Sequence, residues 1–242
     1  MCGRYTLTTP GGRALAERFD LADPEALRPE TLERYNVCPT EPVAVAIVEG
    51  EQRVAETMRW GLIPPWAKTS EDGSPDTKGP LLINARSETV ATKAPFAELF
   101  ARPERRCLVL ADGWYEWLKA EKKGGPRIPF RYTVDDGGPF AFAGLWGRSR
   151  IGGDLIHSVC ILTTSANAVC APVHDRMPVV LGGPEEEAAW LAGESDGLLA
   201  PLAAERTAVA PANPKVNRAG VEGADLLTAP QPEEPAQLSF DA

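Results

Sequence analysis

The chain has 242 residues, 43% hydrophobic and 24% charged, the balance of a soluble globular protein, with no run of about 18 apolar residues that would span a bilayer. Its net charge of −9 argues against broad non-specific nucleic-acid binding but leaves room for a local basic groove. Cys2, Cys38, Cys107, Cys160 and Cys170 form no CxxC pair, and the two histidines are His157 and His174, which excludes a disulfide framework and a structural zinc site as organising devices.

In chain order, Leu15 and Phe19 are spaced by four and predict a short helix over residues 12–19. Residues 42–48 and 53–63 read as strands, with Gly50 between them as the turn. Thr69–Pro80, rich in Gly, Pro and polar residues, reads as a mobile loop. Residues 95–100 suit a short helix started by Pro95. A β-rich half follows: the apolar, aromatic stretch Cys107–Leu118, a hairpin turning at Lys122-Lys123-Gly124-Gly125 into Phe130–Val134, then Phe140–Arg148, His157–Thr163 and Met177–Leu181. Residues 184–192 predict a helix, with Pro184 and acids in its first turn. Strands outnumber helices without regular alternation. The expected fold class is therefore α+β, one domain of twisted, mainly antiparallel sheets with a few short peripheral helices. The domain is expected over residues 2–228, with 229–242 a Pro- and Glu-rich, disordered tail.

Four segments interrupt apolar runs with polar residues: Cys2-Gly3-Arg4-Tyr5, Ile83–Thr89, Asp112–Trp117 and His174–Pro178. Once Met1 is removed, Cys2 carries an α-amine and a thiol on one residue, with ordinary pKa values of about 8 and about 8.5. An amine condenses with an aldehyde to an imine, and a neighbouring thiol closes that imine to a thiazolidine, so the pair points to an aldehyde or another activated carbonyl. Glu116 lies among Trp114, Tyr115 and Trp117. Facing inward it is a carboxyl of raised pKa suited to acid/base work; facing outward it is an ordinary edge-strand glutamate. His174 is a proton carrier or a hydrogen-bonded turn histidine. Asn84 orients reacting groups or makes an Asx-turn. Arg86 and Arg176 grip phosphate or form surface ion pairs. Trp66, beside Pro64-Pro65 and Lys68, is the aromatic suited to stacking an unpaired base, whereas Trp114 and Trp117 suit the core.

Taken in order, MCGRY, RWGLIPPWAK (59–68), NARSET (84–89), ADGWYEW (111–117), AGLW (143–146), TTSAN (163–167) and HDRMPVVL (174–181) resemble the SRAP family, the SOS response-associated peptidase or abasic-site processing proteins. The resemblance runs from residue 2 to about residue 220. It implies a protein that binds single-stranded DNA containing an abasic site and forms a thiazolidine crosslink through Cys2, with Asn84 positioning, Glu116 as acid/base and His174 as a second proton-transfer or stabilising group. It implies DNA contacts from Arg4, Trp66, Arg86, Thr163 and Arg176. The alternative is an N-terminal-nucleophile cysteine peptidase or amidohydrolase. No metal or cofactor is expected, and the chain is expected to be a cytoplasmic monomer, nucleoid-associated when on DNA. Gln237-Leu238-Ser239-Phe240 is similar to a shortened sliding-clamp-binding peptide. Two departures from the family pattern are a longer 69–80 loop and a loose match over Ala210–Asn217.

Overall fold

The computed structural model describes residues 2–77, 79–118, 125 and 127–230. Most of the expected 122–125 turn and the whole 237–240 segment lie outside these residues. Strand β1 (Arg4–Leu7) starts directly after Cys2-Gly3. Helix α1 (Gly12–Phe19) buries Leu15, Ala16 and Phe19 and stops at Asp20 in a left-handed conformation. Strand β2 (Arg34–Val37) leads to the hairpin β3 (Pro42–Glu49) and β4 (Gln52–Trp60), which turns at Gly50 with φ 63°. Strand β4 ends at Trp60 rather than continuing to residue 63, because Gly61 adopts φ 117° and Pro64-Pro65 cannot donate to a ladder.

The segment expected as a plain loop contains a small ribbon, β5 (Lys68–Thr69) against β6 (Pro75–Asp76). The Ser70 hydroxyl ties it together by bonding Asp72 and Ser74. Next come β7 (Asn84–Arg86) and α2 (Phe96–Phe100). The apolar stretch 107–118 divides at Asp112 into β8 (Arg106–Ala111) and β9 (Gly113–Leu118). These are followed by β10 (Ile128–Val134), β11 (Phe140–Ile151) and β12 (Asp154–Ser165). The expected strand 177–181 splits at Val179 into β13 (Arg176–Pro178) and β14 (Val180–Leu181). Helix α3 (Pro184–Ala192) and β15 (Thr207–Pro211) complete the set.

The strands form two main sheets. One has the order β15-β10-β9-β1-β2 and is antiparallel throughout. In the other, β12 pairs with both β11 and β4, so that β4, β3, β8, β11 and β12 close into a small barrel. Among the strand pairings of the described residues, those of β12 with β4 and β7 are the parallel ones, and an isolated parallel bridge joins Leu21 to Arg53. The expected α+β class, with mainly antiparallel sheets and few short helices, is thus observed. Alternation along the barrel strands builds two apolar layers. Cys107 and Val109 pack with Tyr5, Trp114 and Tyr132 of the first sheet, while Leu108 and Leu110 pack under the helices with Phe19 and Trp190. Gly144 is required within the first layer, since a Cβ there would lie 2.7 Å from Cys107 Sγ and 2.9 Å from Val109.

Asp112 fastens the two sheets at the amino end. Its buried carboxylate accepts the Thr6 hydroxyl at 2.6 Å, the Thr8 hydroxyl at 2.8 Å and the Thr9 amide at 2.9 Å. This clamp holds β1 in register beside β9, with Arg4 opposite Tyr115 and Tyr5 opposite Trp114, and so sets Cys2 near Glu116.

Candidate active site

Cys2 is fully buried. Its Sγ donates to the Arg4 carbonyl at 3.7 Å. Burial pushes its thiol well above the ordinary range, and the Glu116 carboxylate adds to the shift. Asn84 stands at the start of β7, opposite Ile161 of β12. Its Nδ2 donates to the Cys2 carbonyl at 2.8 Å, fixing the backbone of Cys2. Its Oδ1 is buried and accepts no hydrogen bond among the described residues, which leaves an acceptor for a ligand.

Glu116 is not on an edge. Strand β9 lies between β1 and β10, and Glu116 shares the inward face with Trp114, which stacks on Tyr132 with ring centroids 5.2 Å apart. Tyr115 and Trp117 take the other face, against Ala212 and Val216. At 4% exposure the Glu116 carboxyl loses most of its hydration. Burial raises its pKa to about 7, with Asp175 contributing in the same direction. It is the kind of group that both gives and takes a proton at neutral pH.

His174 lines a cleft with Glu116 and Gly3, directly beside the buried Cys2. Its Nδ1 accepts the Arg176 amide at 3.0 Å, so the neutral ring carries its proton on Nε2. The Asp175 carboxylate lies 3.1 Å from Nδ1 and becomes the partner when the ring is protonated. The cleft encloses about 610 Å³ and is walled by Arg4, Glu116, Trp117, His174 and Asn217. Trp117, expected in the core, instead lines this opening, and its indole donates to Asn217 Oδ1 at 2.5 Å. Period-two alternation accounts for Trp117 taking the face opposite Glu116 against Val216, and gave no signal that its ring reaches the cleft. Asn217, from the loosely matching C-terminal segment, carried no such signal.

The expected DNA contacts divide. Arg4 reaches the cleft but also bonds Asn36 Oδ1 at 2.8 Å and the Val216 carbonyl at 2.7 Å. Arg86 is exposed, two residues beyond Asn84 on β7. Thr163 is fully buried; its hydroxyl donates to the Ala85 carbonyl at 3.4 Å, so it supports the β7 pairing and presents nothing to a strand outside. Arg176 is 9% exposed, forks the Glu88 carboxylate and donates to the Thr163 carbonyl at 2.5 Å. It braces NARSET against HDRMP instead of standing ready for phosphate. Trp66 is 55% exposed and lines a different hollow of about 470 Å³. Among the described residues, no group of three or more His, Cys, Asp or Glu is placed to hold a metal ion, and no helix is long and apolar enough to cross a membrane.

Residues 1–219 match the family model described as SOS response associated peptidase (SRAP). The chain is 36% identical to the abasic site processing protein YoqW of Bacillus subtilis, over 79% of this chain and 80% of that protein. It is 32% identical to the abasic site processing protein YedK of Escherichia coli, over 81% and 82% respectively. A crystal structure of a Bordetella bronchiseptica protein, 27% identical, superposes with a TM-score of 0.69 over 88% of this chain and all of that one. A Bacteroides thetaiotaomicron structure, 23% identical, shares the fold with a TM-score of 0.78 over 95% of this chain and all of that one.

Proposed function

Because the chain belongs to the SOS response associated peptidase family, we propose that it processes abasic sites in single-stranded DNA by forming a covalent crosslink through Cys2. Removal of Met1 frees the Cys2 α-amine. The amine adds to the aldehyde of the ring-opened deoxyribose, and loss of water leaves an imine. The S–H bond then adds across the C=N bond, sulfur to carbon and proton to nitrogen, closing the five-membered thiazolidine. One water is released and no oxidant is consumed.

The observation that carries this reading is the pairing of Cys2, gripped by Asn84, with a buried carboxyl that titrates at about 7. Glu116 gives a proton as the sugar ring opens and as the hydroxyl leaves the carbinolamine, and takes one from the attacking amine. His174, its Nε2–H directed by the Arg176 amide, steadies the freed sugar oxygen. Burial of the thiol argues against the hydrolase alternative. A cysteine hydrolase needs a ready thiolate beside a base, whereas here Sγ faces a backbone carbonyl and its pKa is raised. In the crosslinking route the amine reacts first, and the thiol then closes intramolecularly at high effective concentration.

The test mixes mature protein with a single-stranded oligonucleotide carrying one abasic site, resolved on a denaturing gel. A heat-stable shifted band that requires both Cys2 and the abasic site is expected. Its absence in wild-type protein, with Met1 removal verified by mass, would sink the crosslinking reading.

A further inference from the structure

The hollow beside Trp66 gathers three arginines that the Cys2 chemistry does not use. It lies between the segment following β4, the α2 region and the end of β11, and shares no lining residue with the Cys2 cleft. Arg102, Arg105 and Arg148 all open onto it. The Arg105 guanidinium lies over the Trp146 ring at 4.5 Å, and its Nη1 is buried without a hydrogen-bond partner among the described residues. Arg102 is paired with Glu104 at 2.8 Å. Arg148 is exposed and close enough to Arg105 for the two cations to repel. Glu98, which also lines the hollow, and Glu104 offset part of this charge, but the buried Arg105 Nη1 keeps an unfilled donor that an incoming anion would satisfy.

The occupant follows from the other wall and from position. Trp66, half exposed, stands beside Pro64-Pro65 at the mouth of the hollow, as an aromatic face open to a planar ring. Leu62 of the hollow bridges to Leu82, and the Trp60 indole holds the Ile83 carbonyl at 3.0 Å. Asn84, the residue that grips Cys2, is the next in line. The hollow and Cys2 are thus joined by one short braced segment, two residues from Leu82 to Asn84, about 7 Å when extended.

We propose that this hollow is a second subsite for the DNA strand, in which Arg102, Arg105 and Arg148 receive a backbone phosphate outside the lesion while Trp66 stacks the attached base. The inference rests on the strand-binding reading above, which already places Trp66 against the strand, and adds a phosphate contact from the three arginines to it. It also explains how an acidic protein holds a polyanion: cations are concentrated at one pocket in place of a broad basic face.

The test measures anisotropy of an undamaged, labelled oligothymidylate of about twelve nucleotides, a length within single-strand site sizes, across a salt series. Wild type is compared with Arg102→Gln/Arg148→Gln, with Arg105→Gln and with Trp66→Ala, each checked for an unchanged melting curve. Affinity is expected to fall about tenfold in each variant. In the double variant the slope of log affinity against log salt shrinks by about 0.7, the share of one phosphate. Wild-type affinity and slope in the Arg102→Gln/Arg148→Gln variant would overturn the subsite. A second arm uses an abasic oligonucleotide too short to leave the Glu116–His174 cleft, with which the arginine variants are expected to crosslink like wild type. If wild type crosslinks but the variants bind normally, the subsite is wrong and the lesion chemistry stands. If the variants lose affinity but wild type never crosslinks, the subsite stands and the chemistry is wrong.

Discussion

At the scale of single residues, the site is governed by desolvation. Glu116 is an ordinary glutamate by sequence, and its pKa is pushed up to about 7 because it faces inward at 4% exposure and burial strips its hydration. A carboxyl raised from 4.5 to about 7 binds more protons in the folded than in the unfolded state between those pH values. Stability therefore declines as pH rises through that window, by about 3 kcal/mol once pH exceeds 7. Glu116→Gln removes this decline, so urea melts at pH 5 and pH 8 are expected to converge for the variant and diverge for wild type. The same variant is expected to crosslink about a hundredfold more slowly at pH 7, read from gel time courses. Asn84→Ala frees the Cys2 carbonyl from its amide. A loss of about 1 kcal/mol of stability is expected, with a larger loss of crosslinking rate, because the misplaced group is the nucleophile's own residue. If that variant crosslinked at the wild-type rate, Asn84 would have no positioning role.

At the scale of elements, the β1–β9 pairing decides where chemistry occurs. A one-residue slip would turn Glu116 outward, and the register is secured by Asp112 and by Gly113. A Cβ on Gly113 would meet Arg131 Nε at 2.8 Å and Thr6 Oγ1 at 2.9 Å, so only glycine lets β9 pass beneath these side chains. Gly113→Ala is expected to destabilise by about 1–3 kcal/mol and to depress crosslinking with it. Denaturation midpoints check the first effect and the gel assay the second. The short elements β1, β2 and β7 escaped periodicity because three or four residues carry too little pattern. They are strands because long neighbours hold them. Asn84–Arg86 looks like a turn candidate in isolation and is a strand because β12 supplies its ladder.

At the scale of the molecule, the barrel and the five-stranded sheet share one apolar layer, and the Cys2 cleft opens where that layer meets the surface. The Ala229 amide donates to the Pro211 carbonyl at 3.1 Å, which fastens the chain close to the expected end of the domain at 228. We propose that the folded unit ends there. Deleting residues 231–242 is then expected to leave the melting temperature and the crosslinking rate unchanged, measured side by side with the full chain. A clear drop in melting temperature would place those residues within the folded unit.

The sequence by itself determined the chemistry available at Cys2, the α+β class and the approximate positions of the long strands and of all three helices. These rest on covalent structure and local periodicity, which are legible along one chain. It also brought Cys2, Asn84, Glu116 and His174 forward together through their motifs. Only the tertiary structure decided which face Glu116 takes, that Thr163 and Arg176 turn inward to Ala85 and Glu88, that Trp117 lines the cleft, and that three arginines meet behind Trp66. Each of these depends on neighbours distant in sequence. Burial, ion pairing and pKa are properties of the packed assembly, and no local pattern encodes which partner will arrive.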